Sequence, residues 1–74
     1  MEEFNYGDFK IKKSKDRIVG YVKVDENDYR DVISTSFSEI TDKWSVSGSQ
    51  TIFSDIKLAN LQADCIRKVI DWSH

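Results

Sequence analysis

Residues 53–72 read FSDIKLANLQADCIRKVIDW, from Phe53 to Trp72. Here the apolar spacing changes from a period near two to a period near 3.6. Stepped at about 100° per residue, Lys57, Asn60, Asp64, Arg67, Lys68 and Asp71 gather on one arc. Leu58, Leu61, Cys65, Ile66, Val69, Ile70 and Trp72 fall on the remainder. The pattern predicts an amphipathic helix over about residues 55–72. Ser54 is expected to cap it, with Asp55 bringing negative charge to its first turn. Phe53 and Leu58 stand at the spacing of a hydrophobic staple, and Asp64 and Lys68 at that of an i,i+4 ion pair. The apolar arc is wider than the roughly 100° stripe of a surface helix. Either a twisted sheet wraps it, or part of it, with Ile70 and Trp72 at its edge, meets a partner or a second copy of the chain.

Upstream, residues 9–53 are rich in Val, Ile, Thr, Tyr, Phe and Ser at a period near two. Phe9 and Ile11 alternate with Lys10 and Lys12. Ser14-Lys15-Asp16 reads as a turn. Arg17 to Val24 is the most strand-like run, with Ile18, Gly20, Val22 and Val24 on one face and Val19, Tyr21 and Lys23 on the other. Apolar residues on both faces make it a central strand. Asp25-Glu26-Asn27-Asp28 is a turn signal. Tyr29 to Ile40 alternates again, with Tyr29, Ile33, Thr35 and Phe37 on one side and Val32, Ser34 and Ser36 on the other. Trp44 to Ile52 completes the set. Short connections imply an antiparallel meander. The expected fold is α+β: three to four antiparallel strands over about residues 9–53, packed by one C-terminal helix, in one small domain over residues 1–74. Its core should gather Ile18, Val22, Ile33, Leu58, Leu61, Cys65, Ile66 and Val69.

The composition narrows the chemistry. The chain has 74 residues, of which 39% are hydrophobic and 32% charged, which suits one thin core. Its longest apolar run, Ile18 to Val22, is far too short to span a bilayer. The start, Met1-Glu2-Glu3-Phe4, is acidic where a signal peptide is basic. Cys65 is the only cysteine and His74 the only histidine. They cannot form an intrachain disulfide, a four-ligand zinc site or a buried nucleophile–base pair. No phosphate-binding glycine loop is present, and the acidic turn lacks the glycine and glutamate of a calcium loop. Cys65 reads as a buried structural thiol, and the serines at 34, 36, 38, 45, 47 and 49 as the solvent face of two strands. No enzyme, cofactor, metal or membrane is expected, and the location is expected to be cytoplasmic.

Charge is the most informative feature. Lys10, Lys12, Lys13, Lys15 and Arg17 face only Asp16 within their stretch, and Asp25, Glu26, Asp28 and Asp31 face only Arg30. The two blocks should lie at opposite ends of the central strand. The first expectation is a non-enzymatic protein-binding module whose acidic turn, with Tyr29 as an anchor, docks on a basic surface. Its partner would be a nucleic-acid-binding host protein occluded by a small inhibitor or regulator of phage or mobile-element type. The alternative is a single-stranded nucleic-acid-binding protein, as a homodimer, using Lys10, Lys12, Lys13, Lys15, Arg17 and Tyr21. In the plainer reading those lysines guard a sheet edge. The order ββββα is similar to that of small single-stranded nucleic-acid-binding coactivator domains, which pair through their helices. That resemblance covers the order of elements alone.

Overall fold

The computed structural model describes residues 2–48 and 53–73. Five strands, β1 (Glu2–Asn5), β2 (Phe9–Lys13), β3 (Arg17–Asp25), β4 (Asp28–Ser38) and β5 (Lys43–Gly48), precede one helix, α1 (Ile56–Trp72). The strands form a single antiparallel sheet in the order β1-β2-β3-β4-β5. The fold is therefore α+β, as the periodicity indicates, but with five strands instead of three to four.

The additional strand is β1. Four residues with one apolar side chain carry no alternation to read. What holds it is cross-strand pairing: Glu2 lies opposite Lys13, Glu3 opposite Lys12 and Phe4 opposite Ile11. Opposite charges directly across a ladder are favourable, and the Phe4 ring meets the edge of Trp72 at 4.9 Å. The β1–β2 turn uses Gly7 at φ +86°, with the Gly7 amide donating to Asn5 Oδ1 at 2.8 Å. Because β1 takes the edge, β2 is an interior strand. Its lysines do not guard an edge.

Helix α1 lies over β2, β3 and β4. Ile11, Ile18, Val22, Val32, Ile33, Cys65 and Val69 form the buried core, and Phe9, Leu58, Leu61, Ile66 and Trp72 pack partly buried around it. The expected core is right in its centre. It omits Ile11 and Val32, and it counts Leu58, Leu61 and Ile66, which stay partly exposed. The tightest contact is at Gly20. A Cβ there would lie 2.6 Å from Cys65 Sγ, 3.0 Å from Ile33 Cγ2 and 3.1 Å from Val69 Cγ2. The helix can sit this close to β3 only because position 20 has no side chain. At the helix end, Ser73 Oγ lies 2.9 Å from the Val69 carbonyl and 3.1 Å from Thr35 Oγ1, and Thr35 donates to the Ile18 carbonyl at 3.4 Å. These buried hydroxyls tie α1 to β4 and β3.

A bulge decides which face each β4 residue takes. Gly20 pairs with Ile33, but the next residue, Tyr21, pairs with Asp31. Val32 is the extra residue and is buried beside Ile33. An added residue reverses the alternation on one side of it. Tyr29 therefore shares a face with Tyr21 and Lys23, opposite to that of Ile33, Thr35 and Phe37. Unbroken alternation had grouped it with those three.

Three further expectations are corrected. The helix cap is Asp55, not Ser54: Asp55 Oδ1 accepts the Leu58 amide at 3.1 Å. A carboxylate combines the capping hydrogen bond with attraction to the positive helix end. Asp64 pairs with Arg67 at 3.5 Å, while Lys68 stands 4.7 Å from the centre of the Tyr6 ring. The predicted strand from Tyr29 to Ile40 ends early, because Glu39 and Ile40 belong to a turn, and β5 is described as far as Gly48. The expected strand residues 49–52, Ser49 among them, lie outside the described residues, as does His74.

Two stability outcomes follow from these contacts. Gly20→Ala should cost about 1–3 kcal/mol through overpacking. Combining it with Cys65→Ala should recover part of that loss, a coupling read from urea midpoints of the two single variants and the double variant. Equal additive losses would show that the helix does not rest on Gly20. Asp55→Ala should cost about 0.5–2 kcal/mol, and Ser54→Ala less than about 0.5 kcal/mol; thermal melts that reverse this order would return the cap to Ser54.

Candidate binding surface

Cα partners across a sheet share a face, so the register defines the side opposite α1. It carries Lys10 and Lys12 from β2, Arg17, Val19, Tyr21 and Lys23 from β3, and Tyr29, Asp31, Ser34 and Ser36 from β4. Glu3 and Asn5 of β1 and Ser45 and Ser47 of β5 complete it. No described element covers this face.

Its centre is basic and aromatic. Lys10 Nζ lies 4.1 Å from the centre of the Tyr29 ring and 5.7 Å from that of Tyr21. Lys12 Nζ lies 5.4 Å from Tyr21. Ammonium groups at these distances are attracted to the ring faces. Lys10 also pairs with Glu3 at 3.9 Å, and only 18% of its side chain is exposed. It is a packed cation that joins the two tyrosines. Lys12 and Arg17 form no ion pair among the described residues.

The basic block of the sequence is thus divided. Lys10, Lys12 and Arg17 share the open face with Tyr21. Lys13 points to the helix side, 5.8 Å from the Trp72 ring, and Lys15 sits exposed in the β2–β3 turn. That turn is closed by the Ser14 amide donating to the Arg17 carbonyl at 2.8 Å. Two members of the open face were not in the basic set. Lys23 is visible from simple alternation, but Tyr29 is brought in by the bulge.

The acidic block lies at the far end of β3. Asp25, Glu26 and Asp28 are exposed at the β3–β4 turn, with Asp25 Oδ1 accepting the Glu26 amide at 2.8 Å. Asp31 is exposed on the open face opposite Tyr21. Tyr29, half-buried beside Lys10, stands with the basic group and not at the turn tip. Of the candidate self-association residues, Trp72 packs on Phe4 and Ile70 borders a shallow hollow with Trp44 and Val46.

Catalytic features are few among the described residues. No group of three or more His, Cys, Asp or Glu side chains is placed to hold a metal ion. Cys65 is fully buried, and burial pushes its thiol up to about 11, although a backbone hydrogen bond from Tyr21 lowers it in part. A thiol held neutral is a poor nucleophile at neutral pH. No helix among the described residues is long and apolar enough to cross a membrane.

Compared with known proteins, the chain matches no family model, no curated protein and no solved structure. The observed order βββββα also has one strand more than the order on which the resemblance to coactivator domains rests.

The Cys65 environment has a signed consequence. The thiol titrates at an ordinary value of 9.0 when unfolded and at about 11 when folded. Its contribution to stability is therefore complete below about pH 9 and lost as pH rises through about 11. Wild type should be more stable than Cys65→Ala at pH 7, and the gap in urea midpoints should narrow steadily above pH 9. A constant gap would place the thiol in water.

Proposed function

We propose that this chain is a non-catalytic binding module that holds single-stranded nucleic acid across the open face of its sheet. The observation that carries this reading is the grouping of Lys10, Lys12, Arg17, Tyr21 and Tyr29 on one uncovered sheet face. Unpaired bases expose ring faces, and an open sheet with aromatic side chains can stack them while cations meet the backbone. A duplex keeps its ring faces stacked internally and offers none to tyrosines. The interior position of β2 removes the need for its lysines to guard an edge. Glu3 and Asp31 lie on the same face and hold the affinity to a modest, salt-sensitive range. A reducing compartment such as the cytoplasm suits the single unpaired thiol.

A second reading has one observation in its favour. Asp25, Glu26 and Asp28 protrude at the β3–β4 turn and form no ion pair among the described residues. Such a turn fits a basic protein surface, and a chain docking there would act as an inhibitor that occludes a partner's nucleic-acid site. Tyr29 would contribute little to that contact, because it stands on the open face beside Tyr21 and Lys23 and not at the turn tip.

Fluorescence anisotropy with a labelled ten-nucleotide thymidine oligomer separates the two. Neutralising two to three phosphates gives a log–log salt slope of about −1.4 to −2. Replacing Lys12 and Arg17 with Gln should weaken binding and flatten that slope by about 1.4. Replacing Asp25, Glu26, Asp28 and Asp31 with Asn or Gln should strengthen it. Undetectable binding at 50 mM salt by both wild type and the acid-replaced variant would reject the nucleic-acid reading.

A further inference from the structure

At the β2–β3 end of the open face lies a hollow of about 160 Å³ lined by Lys12, Ser14, Arg17, Val19 and Tyr21. Building on the nucleic-acid reading, we infer that this hollow receives the terminal phosphate monoester of a single strand. Cavities near this size hold one small ring, so the hollow, open to solvent on one side, has room for one phosphate group.

Charge selects the kind of phosphate. Lys12 and Arg17 both border the hollow, and neither has an ion-pair partner among the described residues. Lys10, by contrast, is engaged by Glu3 and Tyr29. The hollow is thus bordered by two cations that form no ion pair among the described residues. An internal phosphodiester carries one negative charge, whereas a phosphate monoester carries about −1.5 to −2 at pH 7. The monoester matches the pair. The guanidinium can bind two of its oxygens at once, and the ammonium acts as a point charge.

The surrounding groups fit the same ligand. Ser14 Oγ donates within the turn, to the Arg17 carbonyl at 3.2 Å or to Asp16 Oδ1 at 3.5 Å, so it braces the rim and leaves the donors for a phosphate to Lys12 and Arg17. Asp16 is exposed in the turn and does not line the hollow. Tyr21 walls the inner side, where the first sugar and base would lie against its ring. The turn from Ser14 to Arg17 closes the β2–β3 hairpin here, so a strand lying along these two strands ends at this hollow.

The test compares 3′-labelled thymidine decamers with and without a 5′-phosphate. Wild type should bind the phosphorylated oligomer about tenfold more tightly. Lys12→Gln and Arg17→Gln, checked for unchanged thermal midpoints, should each erase most of that preference. Lys23→Gln, on the same face but outside the hollow, should weaken both oligomers and keep their ratio. The ratio should fall below pH 6, where the monoester loses its second charge. Equal wild-type binding of both oligomers would overturn the terminal-phosphate site and leave the open-face reading standing. Failure of both to bind would overturn the two together. Competition by thymidine 5′-monophosphate as strong as by the phosphorylated decamer would overturn the strand-end assignment in favour of a mononucleotide site.

Discussion

The missing side chain at Gly20 governs the molecule. Cys65 and Val69 descend onto β3 there, and the same residue stands at the point where the β3–β4 register shifts. The two facts belong together. Where the helix comes closest, β4 bulges and turns both Val32 and Ile33 inward, so the core gains a side chain at the site where β3 supplies none. The compensation has an effect on the other side of the sheet. Beyond the bulge the alternation is reversed, and Tyr29 comes to rest beside Lys10 and Tyr21. Helix packing on one face thus sets the aromatic content of the other.

The polar interactions divide between anchoring and presentation. Ser73, Thr35 and the Ile18 carbonyl form a buried chain of hydroxyl contacts that fixes the end of α1. Ser73 has one proton to share between Val69 and Thr35, so this anchor depends on both neighbours. The charged residues of β1 act differently: Glu2 and Glu3 lie opposite Lys13 and Lys12, and Glu3 forms its ion pair with Lys10. An acidic edge strand next to a basic interior strand also explains how a chain of net charge −2 can present a locally positive surface.

Much of this is legible in the sequence. The change of period at residues 53–54 separates sheet from helix, and the mixed apolar faces of Ile18 to Val24 identify the central strand. Three features are hidden, each for a physical reason. β1 has too few apolar residues to show a period and is specified by charges that matter only once β2 lies beside it. The cap could fall on Ser54 or Asp55, which are similar in strength by type, so only the helix register decides. The bulge is a property of the β3–β4 pair and leaves no mark in β4 alone; that is why unbroken alternation puts Tyr29 on the face of Ile33. Position 20 shows the same limit: a glycine in a strand can be noted, but its helix partners, Cys65 and Val69, come from the other end of the chain.

Because each strand pairs with its neighbour in the chain, sheet assembly needs no long-range search. Successive hairpins can close one after another, each across a short turn, and such local pairing favours fast folding. Among the described residues, it is the docking of α1 over the sheet that joins distant parts of the chain. The sheet can therefore form before the helix arrives, with its inner face briefly wet and Gly20 an open notch. Folding would then be limited by how quickly α1 finds that notch, and the population caught without it would expose an apolar sheet face to other copies of itself.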